Sequence, residues 1–123
     1  MIKKKLKESL PSENKIPYTD FAKLDFRIGK ILKIEEHPNA DLLYILSVDI
    51  GEDKTRTVVA GLRKNYTKEQ LQGKKAAFII NLEPAIIRNI KSEGMILAAA
   101  SDDESQIIIL EPEKDIEQGA KIK

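Results

Sequence analysis

The chain has no cysteine, which removes disulfide frameworks and thiolate metal sites and leaves the redox compartment unconstrained. Histidine occurs once, as His37, so an acid–base pair or a histidine metal set has no second member. Placed before a proline in a polar turn, His37 reads as an exposed loop residue. Gly61, Gly73 and Gly94 stand too far apart to cradle a phosphate. Aromatic residues make up only 5% of the chain. Of Tyr44, Tyr66 and Phe78, the last lies in Ala-Ala-Phe-Ile-Ile and reads as core, which leaves few rings on which bases could stack. No apolar run approaches the roughly 20 residues needed to cross a bilayer. Met1-Ile-Lys-Lys-Lys-Leu-Lys begins with charge but never reaches the apolar stretch of a signal peptide, so a cytoplasmic protein is expected. The acidic pairs Glu35-Glu36 and Asp102-Asp103 fall at turns and read as solvated. With no nucleophile–base pair, metal set or cofactor motif in the sequence, non-catalytic binding is the expectation, with no cofactor and no metal.

The 123 residues are enough for one compact core and too few for two ordinary domains. The formal net charge is only +1, but it is unevenly distributed. Between Lys54 and Lys91 there are nine basic residues and two acids, a local balance of +7. From Ser101 to Lys123 there are three basic residues and seven acids, a balance of −4. The middle of the chain can attract a polyanion and the tail cannot.

Residues 1–15 are lysine-rich and broken by Pro11, and they read as an arm or linker preceding a domain over 16–123. Ile2, Leu6 and Leu10 would share one face if the arm became helical on a partner. Thr19 or Asp20 is the expected N-cap of a helical turn that carries Phe21 and Leu24 inward. From Phe26 the apolar period changes to two, and Gly29 suggests a bulge or sharp coil in that strand. Leu43–Ile50 and Thr55–Ala60 form a hairpin pattern. Thr67 and Gly73 bracket one or two helical turns ahead of the Ala76–Ile80 strand. Gly94–Ala100 and Gln106–Leu110 read as the last long strands. Five or more short strands with one small helix before the fourth predict an all-β-dominated fold: a five-stranded OB barrel with short helices and extra C-terminal strands. A basic barrel poor in stacking rings suits the shape of a folded RNA better than an open strand.

Four stretches carry a resemblance. Asn81-Leu-Glu-Pro-Ala-Ile-Ile-Arg-Asn-Ile-Lys-Ser-Glu-Gly-Met-Ile-Leu-Ala-Ala is similar to the signature of the tRNA-binding domain found at the C-terminus of methionyl-tRNA synthetases, in their free-standing β subunits and in dimeric tRNA-binding proteins. Asp20-Phe-Ala-Lys-Leu-Asp-Phe-Arg-Ile-Gly-Lys-Ile, His37-Pro-Asn-Ala-Asp and Arg56-Thr-Val-Val-Ala-Gly-Leu join it in the family's order and spacing. The resemblance covers residues 18–123.

It implies a non-enzymatic module that binds tRNA at its outer corner through a Ser-x-Gly-Met turn, which carries Ser92 and Met95 over as contacts. A hydroxyl there can bond phosphate or ribose, and a methionine offers a flexible apolar face to a base. Asn81, Arg88 and Lys91 flank that turn, and Lys30 is expected on the first strand. Two positions depart from the family: Leu42 stands where a lysine is common, and Asn89 where glycine is common, implying a left-handed backbone. The resemblance further implies a homodimer, with Gln106–Lys123 and the helix near Phe21 as candidate interface, and the catalytic chain of methionyl-tRNA synthetase as a partner. A dimeric chaperone-like or protein-docking module on the same fold is the alternative.

Overall fold

The computed structural model describes residues 14–123, so the expected arm lies almost wholly outside the described residues. In chain order the elements are helix α1 (Tyr18–Phe21), strands β1 (Phe26–Glu36), β2 (Tyr44–Asp49) and β3 (Arg56–Ala60), helix α2 (Lys68–Leu71), then strands β4 (Lys75–Ile79), β5 (Ala85–Ile87), β6 (Ile90–Ser92), β7 (Met95–Ile96), β8 (Ala98–Ala100), β9 (Ile107–Ile109) and β10 (Lys121–Ile122).

Strand β1 is long enough to serve different partners along its length. Its first half pairs with β4 from Phe26↔Ile79 to Lys30↔Lys75, and its second half pairs with β2 from Lys30↔Asp49 to Glu36↔Tyr44. Curvature at this crossover depends on Gly29. A methyl there would lie 2.6 Å from Val48 Cγ1 and 2.8 Å from Phe78 Cδ1, so only a bare backbone fits. The register shift falls between Ile31 and Lys33 rather than at the glycine: Gly29 permits close approach, and the extra residue that coils the strand comes after it.

The strand order β3-β2-β1-β4-β7 curls into a nearly closed five-stranded OB-type barrel. Alternation in β2 buries Tyr44, Leu46 and Val48 and turns the residues between them outward. Ile31, Val58, Leu62 and Phe78 complete the fully buried interior. Leu71 joins them from α2 and is wholly inaccessible. That helix begins as expected: Thr67 Oγ1 accepts from Gln70 N at 3.2 Å, while Gln70 Oε1 accepts from Thr67 N at 2.8 Å. Gly73, at φ +79°, ends it.

Two expectations are corrected. Helix α1 starts at Pro17 with no side-chain cap, and Phe21 and Leu24 are 39% and 36% exposed rather than core, because a four-residue helix on the rim has little to pack against. The expected strand Gly94–Ala100 divides at Leu97. Before it, β7 pairs with β4 in the barrel; after it, β8 leaves to pair with β9. Leu97 N and Leu110 O share Ala77 as partner, so the C-terminal hairpin covers the edge that β7 vacates.

Candidate nucleic-acid interface

Between β4 and β7 the chain makes an excursion through Asn81–Ser92 whose middle is the β5–β6 hairpin, registered Ala85↔Ser92, Ile86↔Lys91 and Ile87↔Ile90. Its two-residue turn is Arg88-Asn89, with φ +49° and +73°. Both signs are what a type I′ turn needs, and asparagine tolerates them. The left-handed Asn89 was legible; the left-handed Arg88 was not, and an arginine held there stores strain of the order of 1 kcal/mol.

A two-stranded hairpin is marginal by itself, so its orientation must come from contacts at its ends. The base is held by Arg56. Its guanidinium donates to the carbonyls of Ile80 (2.5 Å) and Glu93 (3.1 Å), the residues flanking the excursion, and a two-point pair with Glu52 at 3.1 Å aims it. The same pair holds the Glu52 carboxyl below its usual range, chiefly through hydrogen bonding from Arg56. Asn81 fastens the entry, with Oδ1 accepting from Asp25 N (2.8 Å) and Nδ2 donating to Lys23 O (2.6 Å). Ser92 fastens the exit: its Oγ accepts from Val59 N at 3.0 Å and donates to Gly94 O at 3.0 Å. Glu93 then closes the barrel, its N–H donating to Thr57 O (2.7 Å) and its carboxylate accepting from Thr57 N (3.1 Å).

The expected contact residues therefore divide. Arg88, Lys91 and Met95 are exposed on one excursion and its exit, Met95 to 52%. Neither the Arg88 nor the Lys91 side chain has an ion-pair or hydrogen-bond partner among the described residues. Ser92 is 4% exposed, and its hydroxyl is spent on the chain's own backbone. Asn81 likewise uses both ends of its amide internally. Lys30 is not brought to the turn. It pairs with Lys75 at the opposite end of β4 from the Ile79↔Met95 rung, about 13 Å along the strand. There it borders a cleft shared with Lys74, Glu111 and Asp115, and Lys75 Nζ bonds Asp115 at 2.8 Å.

Three residues that hold the excursion were not among the expected contacts: Arg56, Glu93 and His37. His37 is buried, 3% exposed, contrary to its expected place on the surface. The ring sits between its own loop and the hairpin: Asn39 N donates to Nδ1 at 3.0 Å, and Nε2 lies 3.1 Å from Ile87 O. The rim beside it carries Leu42, 58% exposed, whose carbonyl accepts from Arg63 N at 3.4 Å. The Arg63 guanidinium lies 5.8 Å from the centre of the Tyr44 ring and 3.5 Å from Glu36. Tyr44 and Tyr66 do not offer free hydroxyls. The first donates to Tyr66 O at 2.8 Å, and the second accepts from Ile109 N at 3.1 Å. This surface has cations, a flexible methionine and few rings, which suits phosphates and shape rather than stacked bases. No helix among the described residues is long and apolar enough to cross a membrane.

Comparison with known proteins agrees with this geometry. The pattern of the family described as "Putative tRNA binding domain" matches residues 26–121. The methionine–tRNA ligase of Pyrococcus abyssi is 47% identical over 120 residues, which is 97% of this chain and 16% of that protein. This chain thus spans about a sixth of that relative's length. Among solved structures, a MetRS-related protein from Pyrococcus horikoshii superposes with a TM-score of 0.82 at 27% identity, covering 89% of this chain and 99% of that one. The chaperone CsaA of Bacillus anthracis superposes at 0.79 and 28% identity over 89% and 99% of the two chains.

Proposed function

This chain belongs to the tRNA-binding domain family, and from that premise we propose that it holds the outer corner of tRNA by shape, without catalysis, and raises tRNA affinity for a methionyl-tRNA synthetase. The observation that carries the reading is the β5–β6 excursion: two unpartnered cations and an exposed methionine on a hairpin fastened at its base. Arg88 and Lys91 meet phosphates, and Met95 meets a base or ribose face. Ser92 and Asn81 act through the backbone they hold, and Lys30 contributes at most long-range charge. Exposed tRNA-binding surface on a module tethered to a synthetase raises the local tRNA concentration at the active site. In this reading the catalytic synthetase chain is the partner and residues 1–15 are the contact to it.

Gel shifts with several purified tRNAs test the proposal. Comparable shifts for all of them, weakening steeply as salt rises, are the expected result; no shift at low salt would sink it.

A homodimer completes the proposal. An open cleft of about 610 Å³ lined by Tyr18, Phe21, Leu24 and Ile122 lies where α1 meets β10, and a second copy packed there would cover those apolar side chains. Sedimentation showing only monomer at tens of micromolar would remove it. The second reading, a polypeptide-binding module, is favoured by the likeness to CsaA and by the same cleft. It would be supported by capture of an unfolded polypeptide by protein that ignores RNA.

A further inference from the structure

The single histidine is placed to do a job that neither its loop nor the hairpin can do alone. A two-stranded hairpin only three residues long per strand, clamped at its base by Arg56 and Ser92, leaves its tip free to swing. The tip is also where the strained Arg88 sits, and strain persists only where the surroundings over-determine the backbone. His37 supplies the missing contact, reaching across 50 positions of sequence to the Ile87 carbonyl, one residue before Arg88.

The ring's hydrogen bonds fix its chemical state. Asn39 N–H donates to Nδ1, so Nδ1 carries no proton; Nε2 carries it and donates to Ile87 O. A neutral ring with one acceptor and one donor edge is what this gap requires, because one neighbour is an N–H and the other a carbonyl. The ring itself is only 3% exposed, so its two nitrogens make these bonds rather than bonds to water, although Asn39 lies on the surface and Ile87 is half-buried.

We propose that His37 is a positioning residue for RNA binding: a strut between the His37-Pro-Asn-Ala-Asp loop and the hairpin tip that aims Arg88 at the RNA backbone. This deepens the tRNA reading given above and rests on it for its ligand, though not for its geometry. His37 itself touches no RNA.

Two conservative variants separate the ring's two edges. Glutamine places its amide nitrogen where Nε2 stands and can still donate to Ile87 O. Asparagine places its amide oxygen where Nδ1 stands, satisfying Asn39 but falling short of the hairpin. In the full chain, His37→Gln is expected to bind a tRNA mixture within about twofold of the parent, and His37→Asn to bind about tenfold more weakly, the worth of one hydrogen bond. Amide exchange at Ile90 and Lys91 should speed up in His37→Asn alone. In an Arg88→Ala/Lys91→Ala background the affinity gap between the two variants should vanish. Equal behaviour of the two variants in exchange and affinity would overturn the strut, as would a persisting gap in that background. If neither variant folds, nitrogen chemical shifts of the parent's ring decide: protonated Nε2 with bare Nδ1 supports it, and the other tautomer refutes it. A parent that fails to bind tRNA would sink the tRNA reading alone, because the exchange measurement still reports on the strut.

Discussion

Replacing Ser92 by alanine removes one oxygen atom from a site where two backbone groups depend on it. The Val59 N–H lies in a strand residue only 8% exposed and points at Ser92 Oγ, and no water can replace that acceptor without opening β3. Leaving a buried donor unsatisfied costs about 1 to 3 kcal/mol. The Gly94 carbonyl also loses its donor, but Gly94 is only half-buried and recovers part of the loss from solvent, adding about 0.5 kcal/mol. Ser92→Ala is thus expected to destabilise the domain by about 1.5 to 3.5 kcal/mol, a large share of the roughly 5 to 15 kcal/mol of an ordinary domain. Urea unfolding followed by circular dichroism should show a lower midpoint with an unchanged slope. Gel shifts below the unfolding transition should show weaker tRNA binding, because the exit of the hairpin loosens. An unchanged midpoint with a large loss of affinity would refute the reasoning, since it would mean that the hydroxyl faces RNA and not the chain.

Arg88→Gly should move stability and binding in opposite directions: release of the left-handed arginine stabilises the fold by up to about 1 kcal/mol, while loss of the cation lowers tRNA affinity and the steepness of its salt dependence. Met95→Ala should leave the unfolding free energy within about 0.5 kcal/mol of the parent, since the side chain is 52% exposed, yet weaken tRNA binding severalfold. Asp103 is held down to about 2 from its ordinary 3.8, first by the Ser105 N–H and then by the Ser105 and Ser101 hydroxyls. A depressed carboxyl contributes stability above its unfolded value and loses it as pH falls through its folded one. Asp103→Asn should therefore melt below the parent at pH 5 to 7, and that difference should close between about pH 4 and pH 2.

Local signals made much of the barrel legible and non-local ones hid the rest. Thr67 and Gly73 bracket α2 because caps are short-range chemistry, and the alternation of Tyr44, Leu46 and Val48 reports a strand with one buried face. Phe78 was legible as core because apolar neighbours flank it on both sides. The β5–β6 hairpin was hidden because Arg88-Asn89 lacks the glycine that usually marks a two-residue turn. The break at Leu97 leaves no trace in a continuous run of small and apolar residues, since what changes there is the partner strand. His37 was misplaced for the same kind of reason: a proline-flanked polar turn looks exposed until the hairpin that covers it, 50 residues away, is in position. The candidate contact positions divided along this line too. The resemblance named Arg88, Lys91, Met95, Ser92 and Lys30 alike, whereas the exposure of the first three, the burial of Ser92 and the distance of Lys30 follow only from the folded arrangement.

The barrel has one weak stave. Between β3 and β7 no regular ladder forms, and the gap is bridged by Glu93 and Ser92, residues that also end the excursion carrying the cations. Lys91 and Met95 flank these bridging residues in the chain, so a molecule that grips both holds the segment that closes the seam. Binding and closure become the same event thermodynamically, so bound tRNA should protect the Thr57 and Val59 amides, which touch no ligand, as strongly as residues in the contact surface.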